Sequence, residues 1–115
     1  MGRRNRQRTK LVAETSEYRD GEGNVLTLRG ALTPPTRRRY ADVLAGGLER
    51  EDARQRAIEM LFEHLAVAWT ISGLVIDRQK ELIGRYRMAS AAERTFVLES
   101  LRTHVAEHFP ELEVP

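Results

Sequence analysis

Ala57-Ile58-Glu59-Met60-Leu61-Phe62-Glu63-His64-Leu65-Ala66-Val67-Ala68-Trp69-Thr70-Ile71 is apolar on nearly every side of a helical wheel. Ile58, Leu61, Phe62, Leu65 and Trp69 make the densest stripe, at i, i+3, i+4, i+7 and i+11, while Met60, Val67 and Ile71 fall off it. A helix that is apolar almost all round is buried almost all round, inside a bundle or against another chain. The stretch therefore predicts a central helix that starts near Glu49 to Asp52, continues to about Ser72, and stops at Gly73. At twenty or so residues such a helix is about 30 Å long, the width of a small domain.

The rest of the chain is of a size to surround it. With 115 residues, 41% hydrophobic and 31% charged, the sequence describes one globular domain large enough to bury a core without staples. It has no cysteine, which excludes a disulfide scaffold, a cysteine zinc site and a thiol nucleophile, and fits a cytoplasmic location. No apolar signal core follows the basic start, and the apolar run at residues 65–76 is too short for a bilayer and includes Thr70, Ser72 and Gly73. No membrane partner is expected. The net charge of +2 is unevenly spread: Arg3, Arg4, Arg6, Arg8 and Lys10 all lie in residues 1–10, which hold no acid. Residues 1–10 read as a flexible basic arm, and residues 11–115 as the domain.

Working outward, residues 11–29 read as a β-hairpin. Val25-Leu26-Thr27-Leu28-Arg29 is one strand, Asp20-Gly21-Glu22-Gly23-Asn24 the turn, and Leu11-Val12-Ala13 or Glu17-Tyr18-Arg19 the partner. Gly21 and Gly23 lack the spacing and the Lys-Ser/Thr ending of a phosphate loop. A helical body at residues 33–109 follows. Thr33-Pro34-Pro35 opens a first helix, with Tyr40, Val43 and Leu44 inward, and Gly46-Gly47 closes it in the left-handed conformation. Asp77 is a candidate cap for a helix reaching about Arg87, with Leu82, Ile83 and Tyr86 inward. Ser90-Ala91-Ala92-Glu93 matches the capping box of a last helix, which carries Val97, Leu101 and Val105 on one stripe and ends at Pro110; residues 111–115 are expected to fray. The predicted fold class is α+β, mainly α: an N-terminal hairpin followed by a four-helix body with a long central helix.

Few residues promise chemistry. His104-Val105-Ala106-Glu107-His108 has the H-x-x-E-H spacing that puts two imidazoles on one helix face, but a catalytic zinc needs a third ligand, and His64 or Glu63 would have to supply it. Two surface histidines near a helix C-terminus are the plainer reading. Glu59 and Glu63, one turn apart, read as the solvated edge of the central helix, with Arg56 nearby. Ser16, Ser72, Ser90 and Ser100 all have capping, turn or helix-surface explanations. No catalytic, cofactor or metal residue is assigned, and the chain reads as a non-enzyme. The apolar stripe Ile58, Leu61, Phe62, Leu65 and Trp69 is the expected partner-binding surface, by helix-in-groove recognition or homo-oligomer formation. The alternative is a small nucleic-acid-binding or regulatory protein that uses Arg3, Arg4, Arg6, Arg8 and Lys10 with Arg37, Arg38 and Arg39 on phosphates.

A strand pair, a helix opening at Leu32-Thr33-Pro34, a long helix ending in Ala68-Trp69 and two further helices together resemble the small tail assembly chaperones of long-tailed phages and prophages. The carrying segments are Val25-Leu26-Thr27-Leu28-Arg29, Thr36-Arg37-Arg38-Arg39-Tyr40-Ala41-Asp42-Val43-Leu44 and Leu65-Ala66-Val67-Ala68-Trp69. The layout extends over residues 18–109. The resemblance implies a non-enzymatic protein that coats a long, aggregation-prone tape-measure protein and helps recruit tail-tube subunits. The basic arm departs from that family's pattern.

Overall fold

The computed structural model describes residues 14–46 and 50–115. Among them the order is β1 (Thr15–Arg19), β2 (Val25–Arg29), α1 (Pro34–Ala45), α2 (Arg50–Leu65), β3 (Ala66–Ile71), β4 (Leu74–Ile76), α3 (Gln79–Arg87) and α4 (Ala91–His108). The fold is α+β: four helices and one antiparallel sheet of four strands in the order β1-β2-β3-β4. Of the two hairpin partners that the sequence allows, Thr15–Arg19 pairs with β2, and residues 11–13 lie outside the described residues.

The predicted central helix is corrected. It ends at Leu65, and Ala66–Ile71 is a strand instead of its last turns. The chain changes period there: Val67, Thr70 and Ile71 are β-branched, a class that loses rotamer freedom in a helix and fits a pleated surface. Ser72 and Gly73, with φ of 51° and 81°, then form a two-residue hairpin turn between the paired residues Ile71 and Leu74. Gly73 therefore closes a hairpin and not a helix, and the helical body of residues 33–109 is interrupted by half of the sheet.

β2 and β3 pair with Leu26 opposite Trp69 and Thr27 opposite Ala68, then Leu28 opposite Ala66, which leaves Val67 as the extra residue of a bulge. Alternation puts Ser16, Tyr18, Leu26, Leu28, Trp69 and Ile76 on one face, and Glu17, Val25, Thr27, Ala68, Thr70 and Val75 on the other. The first face is the core face. Leu26, Leu28, Ala66 and Trp69 join Tyr40 of α1, Leu61, Phe62 and Leu65 of α2, Leu82 and Tyr86 of α3, and Val97, Leu101 and Val105 of α4 in one buried cluster. Phe62 stacks on Tyr86 with ring centres 4.8 Å apart, and meets Trp69 edge-on at 5.9 Å.

The helix ends follow local chemistry. Thr33 Oγ1 accepts from the Thr36 N–H (3.3 Å), ahead of two prolines. Gly46 caps α1 in the extended region at φ −68°, not left-handed, a Cβ there would approach the Asp42 carbonyl at 3.0 Å, and Gly47 lies outside the described residues. α3 is capped by Arg78 through backbone alone, so Asp77 is not its cap. The capping box of α4 is formed in full: the Glu93 N–H donates to Ser90 Oγ (3.1 Å) and the Ser90 N–H to Glu93 Oε1 (2.8 Å).

The two hairpin turns are tied together. Asp20 Oδ1 accepts from the N–H groups of Glu22 and Asn24, and Asp20 Oδ2 accepts from the Asn24 side-chain amide (2.9 Å). Burial works against this carboxylate, but the hydrogen bonds from Asn24, Glu22 and Gly23 outweigh it and hold the Asp20 carboxyl below its ordinary value. The buried Asn24 then accepts from the Ser72 N–H through Oδ1 (3.0 Å), joining the β1–β2 turn to the β3–β4 turn.

Candidate interaction surface

The residues expected to bind a partner through the α2 stripe are in the core. Leu61, Phe62, Leu65 and Trp69 are at most 1% exposed, and Ile58 packs partly buried against them. Trp69 points from β3 into the layer between sheet and helices, with the Arg85 guanidinium 5.5 Å from its ring centre. Arg85 in turn pairs with Glu93, whose carboxyl is held below its ordinary value first by that hydrogen bond and then by the Ser90 N–H. The stripe is therefore covered by this chain's own sheet, α3 and α4, apart from Ile58, which lines a surface depression with Gln55, Tyr86, Arg94 and Leu98.

The apolar surface that remains open is on the β3–β4 hairpin. Leu74 and Val75 are 73% and 62% exposed, and Met88 after α3 is 83% exposed. β4 is an edge strand, so one side of its backbone pairs with β3 and the other has no strand beside it among the described residues. Val75 also belongs to the outer sheet face, where Val25, Thr27, Ala68 and Thr70 are half-buried and none is charged. The opposite edge differs. On β1 the outward Glu17 and Arg19 pair at 3.7 Å, charges of the kind that discourage strand addition. The sequence signal for the open hairpin is Leu74-Val75-Ile76 following Ser-Gly, a pattern that a helix reading absorbs as a connector.

The H-x-x-E-H residues are placed by α4 against β1 and β2. His104 is fully buried, contrary to the surface reading. Its Nε2–H donates to the Arg29 carbonyl (2.7 Å), which fixes the tautomer, so Nδ1 accepts from the Tyr18 hydroxyl (2.9 Å). Burial first, and His108 second, push the His104 pKa down against the opposing pull of the Arg29 carbonyl and Glu107. His108, with its ring centre 4.3 Å from that of His104, is half-buried and shares a 3.4 Å contact with Ser16 Oγ. With both ring nitrogens of His104 engaged, the motif here is a polar clasp between α4 and the first hairpin. Among the described residues no group of three His, Cys, Asp or Glu is placed to hold a metal ion.

The remaining candidates divide. Glu59 receives two hydrogen bonds from Arg87 of α3, instead of pairing along its own helix with Arg56, and these hold the Arg87 pKa above its ordinary value. Glu63 is exposed. Arg37 turns inward: Nε donates to the Leu32 carbonyl (3.1 Å), a terminal nitrogen meets Glu111 at 2.7 Å, and the guanidinium lies 5.1 Å from the Phe109 ring centre. Those contacts offset its poor position at a helix N-terminus. Arg38 and Arg39 are exposed, while Arg3, Arg4, Arg6, Arg8 and Lys10 lie outside the described residues. No helix among the described residues is long and apolar enough to cross a membrane. Comparison with protein families, with curated proteins and with solved structures finds no match to this chain.

Proposed function

We propose that this protein is a non-enzymatic protein-binding module that acts in the cytoplasm as an assembly chaperone of the phage-tail type, with a tape-measure or tail-tube protein as partner. The observation that carries the reading is the exposure of Leu74 and Val75 on an edge strand whose outer backbone has no strand beside it among the described residues. An uncharged strand edge of this kind holds an extended segment by main-chain hydrogen bonds, and the flanking apolar side chains add contact area. The binding surface in this reading is the β3–β4 hairpin, and the buried α2 stripe serves stability alone.

The test is suppression of aggregation of a tape-measure-type polypeptide, followed by light scattering. The wild type is expected to suppress it, and a Leu74→Asp, Val75→Lys variant with unchanged melting temperature to lose most of that effect. Equal suppression by both proteins, or by neither, refutes the proposal. Exposed Arg38 and Arg39 favour a second reading, phosphate binding together with residues 1–10. It predicts DNA affinity that falls steeply with salt and disappears when residues 1–10 are removed.

A further inference from the structure

Residues 111–115, expected to fray, are docked on α1 and α4. After α4, the Phe109 N–H donates to the Val105 carbonyl (2.7 Å) and the Leu112 N–H to the Phe109 carbonyl (2.9 Å), turning the chain back along α1. Glu111 then meets Arg37, the Tyr40 hydroxyl donates to the Glu113 carbonyl, and Arg102 donates twice to the Pro115 carbonyl (3.2 and 2.7 Å). Leu112 and Val114 alternate with these polar contacts and pack, half-buried, on the core cluster. Burial, with the Glu113 carboxylate second, pushes the Tyr40 pKa up to about 12, so the phenol stays a proton donor.

Two features of this contact point beyond the tail itself. Tyr40 addresses a main-chain carbonyl, which every extended peptide presents, Arg102 addresses the main-chain oxygen of Pro115, and only Arg37 reads a side chain. The tail also leaves space: an open depression of about 360 Å³ lies against Tyr40, Ala41, Leu44 and Ala45 and is walled by Glu111, Leu112 and Glu113 of the tail, and one of about 290 Å³ lies against Arg102, Val105 and Ala106. The first is lined more by apolar than by polar surface and the second by both about equally, and the exposed Ala41, Ala45 and Ala106 leave room beside the tail for side chains larger than leucine and valine.

We propose that the groove between α1 and α4 recognises extended protein segments in which an acidic residue is followed by apolar residues at alternate positions, and that residues 111–115 are its internal occupant. A segment with bulkier apolar residues covers these two depressions and displaces the tail. The tail competes at the millimolar effective concentration typical of a short tether, so a free peptide with a dissociation constant of about 0.1 mM binds the intact protein about tenfold more weakly than a protein whose tail is released.

The experiment uses the full chain, wild type and a Leu112→Asp, Val114→Asp variant, each titrated into a fluorescent peptide of the sequence of residues 109–115 and read by anisotropy. The released variant is expected to bind about tenfold more tightly than the wild type, to bind more tightly still a peptide with Phe in place of Leu112, and to lose binding when Arg37→Glu is added. A second released variant, Glu111→Lys, is expected to behave in the same way. Absence of binding to either released variant while its circular dichroism is native overturns the proposal, as does equal affinity for released and wild-type proteins.

Discussion

Lowering the pH below about 6.5 should loosen the contact between α4 and the first hairpin, because His104 is buried in its neutral form. The groups that face it are the Tyr18 hydroxyl and the Arg29 carbonyl from the hairpin, and His108 and Glu107 from its own helix. Protonation would place a second donor on Nδ1, opposite a Tyr18 hydroxyl that now donates to it. The folded-state pKa is lowered, so the unfolded chain takes up the proton first. Stability is then complete above the unfolded value of about 6.5 and is lost as the pH falls toward the folded value. One proton bound only by the unfolded state costs at most about 1.4 kcal/mol per pH unit in that interval. The assay is urea denaturation of the wild type and of His104→Gln between pH 7.5 and 5.0, with His108→Gln as the control for the neighbouring ring. The wild type should lose stability with that slope, the control should do so over a narrower pH interval because His108 helps to lower the His104 pKa, and His104→Gln should be flatter by up to the same amount. Identical slopes for wild type and His104→Gln would refute the reasoning.

Two further perturbations separate the parts of the fold. Trp69→Ala should cost about 3–5 kcal/mol in denaturant unfolding, as for other large-to-small core changes, with no change of solution mass by light scattering; an oligomer that falls to a folded monomer would instead place Trp69 in an interface. Asn24→Ala removes the amide that joins the two hairpin turns and leaves the Ser72 N–H without that partner. A loss of about 1–3 kcal/mol is expected, together with faster hydrogen exchange at Ser72, and an unchanged exchange rate would count against the link.

What the sequence discloses is local, and what it conceals depends on distant partners. Thr33-Pro34-Pro35 and the Ser90 to Glu93 capping box mark helix starts because their chemistry is complete within four residues. β3 is hidden because Trp69 continues the spacing of Ile58, Leu61, Phe62 and Leu65, so a single buried residue satisfies both a helical and a strand period. The corrective signal is Ser72-Gly73 between two β-prone runs, a hairpin pattern that the helical reading of the preceding residues overrides. The same error carries into the candidate surface. An apolar stripe with more positions than three short helices can cover looks like an interface, until a second half-sheet is available to cover it. The burial of His104 and the docking of residues 111–115 have no local signature, since their partners Tyr18, Arg29, Arg37 and Tyr40 lie about seventy or more residues away in sequence.

The passage from α2 to β3 takes no loop: Leu65 is the last helical residue and Ala66 the first of the strand. Both residues are buried, and the bulge at Val67 follows at once. A loop would let helix and sheet open separately, each with its own local free energy. Here the junction has no slack, so α2 cannot unwind from its C-terminal end without dragging β3 out of register against β2. The two halves of the molecule are thereby welded into one cooperative unit, and their amides should exchange through the same opening event, whereas β4, a three-residue edge strand beyond the tied turn, is left to open on its own.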